Sequence, residues 1–134
     1  MRVLLDTHML IWMLEGYDYL VNDLEFQDLF LNKIDEIYFS PLSIWEIELK
    51  KQKKTSKFKY DAEQIYFAAI DSNYTPLPFF PKAVLQLKNV ALPHRDPFDH
   101  MLLAQAIDNK LVFLTHDHLF KGISNENIYY LKLS

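Results

Sequence analysis

The hydrophobic positions change period along the chain, and the changes mark out strands alternating with helices. Residues 3–6, Val-Leu-Leu-Asp, form a short apolar run ending in a carboxylate. That is the pattern of a buried parallel strand with Asp6 at its carboxyl end. A helix over 8–15 follows, closed by Gly16. A second helix is expected to start at Asn22, with Glu25 three places on as a capping-box partner. Its residues Phe26, Leu29, Phe30 and Ile34 recur at helical spacing and should face the core. Residues 36–39 form another short strand, and Ser40-Pro41 supplies an N-cap and first-turn pair for a helix through Trp45 and Leu49. Asp61 with Gln64 caps a helix to about 71. Residues 74–76 suggest a short strand and 81–87 a short helix. Asp96-Pro97 opens a longer helix over about 97–109, with Phe98, Leu102, Leu103 and Ala106 as its buried stripe. The clearest strand is Leu-Val-Phe-Leu-Thr at 111–115, and 129–133 suggests a last one. Strands alternating with helices argue an α/β domain with a mainly parallel sheet.

Composition narrows the chemistry. A length of 134 residues suits one domain, residues 1–134, and half the residues are hydrophobic, enough for a core. With only Gly16 and Gly122, no glycine-rich phosphate loop can be written. The absence of cysteine removes disulfides, zinc ribbons and thiolate nucleophiles. It also fits a reducing cytoplasm. Neither a signal-peptide pattern nor an apolar run of membrane-spanning length is visible, so the expectation is a cytoplasmic protein without a membrane partner.

The candidate chemistry lies in the carboxylates. In open parallel sheets, ligands bind beyond the carboxyl ends of the strands. Asp6 closes the first strand and Asp117 lies two residues past the 111–115 strand. Asp99 is in the first turn of the helix before that strand, and Glu46 is in the helix after the second strand. All four can converge on one sheet edge. Clustered carboxylates repel, and a hard divalent cation relieves the repulsion. Mg²⁺ or Mn²⁺ suits an oxygen-only site and supports phosphodiester hydrolysis. Apart from Asp6, whose carboxylate at the end of a buried strand needs a partner, each acid also has a plainer explanation. Asp99 suits a helix N-terminus beside Asp96, Asp96 itself is a natural N-cap, Glu46 can pair with Lys50 on an exposed helix face, and Asp117 can cap a turn.

Taken together, these segments resemble a known family. Val-Leu-Leu-Asp-Thr-His-Met-Leu-Ile-Trp at the start, Ser-Pro-Leu-Ser-Ile-Trp-Glu-Ile, Leu-Pro-His-Arg-Asp-Pro-Phe-Asp-His and Leu-Val-Phe-Leu-Thr-His-Asp resemble, in order and spacing, the four motifs of PIN-domain proteins. The likeness is strongest to the VapC-like ribonuclease toxins of toxin–antitoxin pairs. The resemblance implies a three-layer α/β/α domain around a mainly parallel sheet of four to five strands. It implies a metal-dependent endoribonuclease using Mg²⁺ or Mn²⁺, homodimeric and silenced by a cognate antitoxin. It implies catalytic and metal-binding roles for Asp6, Glu46, Asp99 and Asp117. Asp96 would be an outer helper, and Thr115 a hydroxyl that orients a neighbouring acid.

Other features bear on this reading. Six of the fourteen basic residues fall at 50–59. Lys50, Lys51, Lys53, Lys54 and Lys57 are candidates to hold an RNA backbone, although lysines also complement a helix C-terminus. His8 and His116, beside two of the acids, would serve a metal-free ribonuclease as acid and base. The abundant aromatic residues are mostly core, and Trp12, Trp45, Phe79 and Phe80 are candidates for a dimer face or antitoxin groove. A phosphatase of the haloacid dehalogenase kind needs an acid where this chain has His8. The alternative of a different class is a non-catalytic module binding RNA or protein on the same scaffold.

Overall fold

The computed structural model describes residues 1–53 and 57–133. Among these residues, five strands form one sheet: β1 (Arg2–Leu5), β2 (Glu36–Phe39), β3 (Thr75–Pro76), β4 (Val112–Thr115) and β5 (Ile128–Tyr130). Their order is β3-β2-β1-β4-β5, and every pairing is parallel. Parallel neighbours need crossovers, which helices supply except between β4 and β5, where the connection holds only a short 3₁₀ turn, His118–Phe120. The helices are α1 (Thr7–Glu15), α2 (Asp18–Val21), α3 (Leu24–Asp28), α4 (Pro41–Gln52), α5 (Ala62–Asp71) and α6 (Pro97–Asp108), with a 3₁₀ helix over Pro81–Asn89.

Alternation along the strands divides the core. Val3, Leu5, Phe39 and Leu114 face one side with α1, α3 and α5, whereas Leu4 and Phe113 face the other with α6. Neighbouring strand residues thus serve opposite layers, as the two-residue period requires. The expected three-layer arrangement is observed, with a sheet that is wholly parallel.

Local signals set most helix ends. Asp6, Ser40, Asp61 and Asp96 each accept a backbone N–H at a helix start. Gly16 closes α1 with φ of 65°, a left-handed conformation that costs glycine least.

Three expectations differ from the structure: the start of the third helix, Phe30 and Phe98. The cap of the third helix is Asp23, which accepts from the Phe26 amide, and Asn22 instead ends α2. Phe30 is 42% exposed. After Asp28 the helix widens into a π turn over Leu29–Lys33, which rotates later residues out of the α-helical phase. Phe26 and Leu29, before that shift bites, are buried as expected. The segment at 81–89 is helical but of the tighter 3₁₀ kind. Phe98 is only half-buried and meets the exposed Trp45 edge-on, with ring centroids 5.1 Å apart.

Candidate active site

The crossovers from β1 and β4 leave toward opposite edges of the sheet, so the carboxyl ends of these adjacent strands frame its crevice. Asp6 stands there. Its Oδ1 accepts from the Thr7 amide at 2.7 Å and its Oδ2 from the Thr115 hydroxyl at 2.8 Å. The same Thr115 oxygen accepts the Asp117 amide at 3.1 Å. One hydroxyl at the end of β4 therefore connects the first acid with the backbone of the last.

Glu46 enters from α4. Its Oε1 accepts from the Thr7 hydroxyl at 2.7 Å, and Thr7 Oγ1 lies 2.9 Å from Ser43 Oγ. The sequence-expected Glu46–Lys50 pair does form, at 3.3 Å, but it is no exposed pair, because Glu46 is buried. Asp99 comes from the first turn of α6, and its Oδ2 lies 2.8 Å from His94 Nε2. The cap of that helix is Asp96, whose exposed carboxylate accepts from the Phe98 amide. Asp117, half-buried, caps the short 3₁₀ turn His118–Phe120 by accepting from the Leu119 amide.

Asp6, Asp99 and Glu46 are only 3%, 7% and 9% exposed. Carboxylates removed from water resist ionisation, and neighbouring negative charge adds to the resistance. Burial, aided by Glu46 and Asp117 and opposed by the bonds from Thr115 and Thr7, raises Asp6 to about 7. Burial and then the charges of Asp6, Asp96, Asp117 and Glu46 raise Asp99 to about 8. Four acids from separate stretches of chain thus feel one another around Asp99. Burial lowers the pKa of both His8 and His116. His116 also stacks on Trp12, with centroids 3.8 Å apart and planes 9° from parallel.

A divalent cation is the simplest relief for such a pocket. Its donor set consists of carboxylate oxygens without thiolate, the kind that Mg²⁺ and Mn²⁺ prefer. Among the described residues, however, no three His, Asp or Glu side chains are already drawn together closely enough to hold an ion. In kind and in charge the residues fit a hard cation; their closure around one would need side-chain movement.

Residues 3–126, which include all four acids, match the family model described as PIN domain. The chain belongs to the PIN-domain family. No curated protein matches it. In fold, this PIN domain is similar to solved VapBC complexes. One is VapBC2 from Rickettsia felis bound to a DNA fragment from their promoter, with 19% identity, a TM-score of 0.60 and 98% of each chain covered. Another is DNA-bound VapBC from Salmonella typhimurium, with 17% identity, a TM-score of 0.63, and 97% of this chain and 98% of that chain covered. A third is VapBC-1 from nontypeable Haemophilus influenzae, at 15% identity, a TM-score of 0.54 and 87% of each chain covered.

Thr7, Ser43 and His94, the polar neighbours that hold the acids of this PIN domain, are not marked by the sequence as site residues. Two of them lie close to the acids in sequence, since Thr7 adjoins Asp6 and His94 precedes Asp99 by five residues. The basic strip is partly committed elsewhere. Lys50 serves Glu46 and also stands over the Phe58 ring, whereas Lys51, Lys53 and Lys57 are exposed. Lys54 lies outside the described residues. Among those residues, no helix is long and apolar enough to cross a membrane.

Proposed function

We propose that this PIN domain is a divalent-metal-dependent endoribonuclease, acting as the homodimeric toxin of a toxin–antitoxin pair. The reading is supported by the mutual charge that Asp6, Glu46, Asp99 and Asp117 exert beyond the ends of β1 and β4, with Asp6 and Asp99 raised well above the ordinary carboxylate range. Pockets that push carboxyl groups so far from their usual values are characteristic of chemistry or ion binding. The likeness in fold to VapBC complexes supports the choice of an antitoxin as protein partner.

In this reading Asp6, Glu46, Asp99 and Asp117 are the catalytic and metal-holding acids for Mg²⁺ or Mn²⁺. When bound, such an ion supplies Lewis-acid polarisation of the phosphate and a more acidic water. Thr115 and Thr7 keep Asp6 and Glu46 facing the crevice, and Asp96 shapes the start of α6 beside Asp99. Lys51, Lys53 and Lys57, with Lys50 at the rim, hold the RNA backbone by charge, so binding should weaken steeply as salt rises. Lys54 belongs to the same run in sequence.

Incubating the purified protein with unstructured RNA tests this directly. The expected result is cleavage with Mn²⁺ or Mg²⁺ and none with chelator. Products that persist in chelator would instead favour the histidines. RNA binding without products under every condition would make the chain a non-catalytic module.

A further inference from the structure

We infer that His94 is a positioning residue for the proposed metal site, fixing the Asp99 carboxylate toward the crevice; the inference rests on the ribonuclease reading above. The segment that carries His94 links the 3₁₀ helix at Pro81–Asn89 to α6 and is not itself part of either element. The imidazole is nevertheless held firmly. Its Nε2 lies 2.8 Å from Asp99 Oδ2, and the two side chains are only 14% and 10% exposed. The fully buried Phe120 ring meets it edge-on, with centroids 5.2 Å apart and planes at 80°. The His94 carbonyl lies 2.5 Å from Nε2 of His100, one turn into α6. Ring and backbone are thus tied to the element that carries Asp99.

The proton of a neutral imidazole can sit on either nitrogen. Nδ1 of His94 is buried and has no hydrogen-bond partner among the described residues, so the arrangement is satisfied best with the proton on Nε2, donated to the carboxylate. Each of the other acids has its own donor: Thr7 and Thr115 for Asp6, Thr7 for Glu46, the Leu119 amide for Asp117. Asp99 does not cap its helix, a task left to Asp96. Among the described residues, His94 is the side chain bonded to it.

The electrostatics make this donor matter. The charges of Asp6, Asp96, Asp117 and Glu46 all oppose ionisation of Asp99. An untethered carboxylate at the first turn of a helix relieves such repulsion by rotating toward water. A donor at Oδ2 opposes that rotation and leaves Oδ1 available to a cation. Hydrogen-bonded partners of metal-ligating carboxylates have this effect generally, and losing one typically weakens metal binding by roughly 10–100-fold.

The test is calorimetric titration of the whole chain with Mn²⁺ alone, comparing the parent with His94→Leu and His94→Gln. Leucine keeps bulk beside Phe120 but cannot donate, whereas the glutamine amide reaches nearly the position of Nε2 and can. Circular dichroism melts establish that each variant is folded. The expected result is a loss of Mn²⁺ affinity of roughly 10-fold or more in His94→Leu, with most of the affinity retained in His94→Gln. Equal affinity in the parent and His94→Leu, with the parent binding Mn²⁺, would overturn the positioning role and leave the nuclease reading intact. So would an equal loss in both folded variants, the mark of a merely structural tie. A parent that binds no Mn²⁺ would overturn the metal-dependent reading and this inference with it.

Discussion

At the scale of single residues, the site is organised by hydroxyls as much as by acids. Thr115 is fully buried, donates to Asp6 Oδ2 and accepts from the Asp117 amide. Thr115→Val preserves the shape and removes both bonds, leaving a buried carboxyl oxygen and an amide without this partner. The Asp117 amide is only partly buried, and stranding the buried carboxyl oxygen costs about 1–3 kcal/mol. The Thr115→Val variant should therefore unfold at lower urea, by about 1–3 kcal/mol. An unchanged midpoint would mean that water or another group replaces the hydroxyl. The sequence displayed Asp6 and Asp117 plainly, because a carboxylate at the end of an apolar strand is conspicuous. It did not display that Thr7 serves Glu46 or that His94 serves Asp99. The first of these contacts spans 39 residues and depends on how α4 is laid against α1.

At the scale of elements, local chemistry was legible wherever one residue type has one favoured place. Ser40-Pro41, Asp61 with Gln64, and Asp96-Pro97 mark helix starts, and each does so in the structure. Legibility failed where two similar residues compete or where the backbone changes pitch. Asn22 and Asp23 are both good caps, and only the fold selects Asp23. Replacing an effective N-cap by alanine costs about 1 kcal/mol. Asp23→Ala should thus lower stability in urea by about that much, and Asn22→Ala by clearly less. The reverse ranking would contradict the observed start of α3. Phe30 illustrates the second failure: a helical period extrapolated through 29–33 points it inward, while the π turn presents it to solvent. That turn has no marker in the residue pattern.

At the scale of the whole molecule, topology gathers the acids. The order β3-β2-β1-β4-β5 places β1 beside β4, so residues more than a hundred positions apart share a hydrogen bond. Alternating strands and helices announced a parallel sheet, but nothing in the pattern announced which strands would be neighbours. The same gathering makes stability depend on pH. Asp6 and Asp99 titrate near 7 and 8 in the folded chain, against an ordinary 3.8. The folded state therefore binds these protons more tightly than the unfolded state does. Their stabilising contribution is complete below pH about 4 and is lost as pH rises through 7 and 8. The melting temperature of the metal-free protein should consequently fall between pH 5 and 8.5, and Mn²⁺ should flatten the decline by replacing protons as the compensating charge. A profile that rises across this range would contradict the buried, mutually repelling pocket.

In the proposed function, Asp6, Glu46, Asp99 and Asp117 act as one site. The most direct measurement is the initial rate of Mn²⁺-dependent RNA cleavage by Asp6→Asn, Glu46→Gln, Asp99→Asn and Asp117→Asn beside the parent, with melting temperatures recorded for each. Removing an oxygen ligand while keeping its shape should reduce the rate by about 100-fold or more in every variant, in the range seen when groups that stabilise charge in a transition state are removed. Melting temperatures of the metal-free Asp6→Asn and Asp99→Asn variants should be at or above the parent value near pH 8, because like-charge repulsion is relieved. A parental rate in folded Asp6→Asn or Asp99→Asn would contradict the shared acidic site.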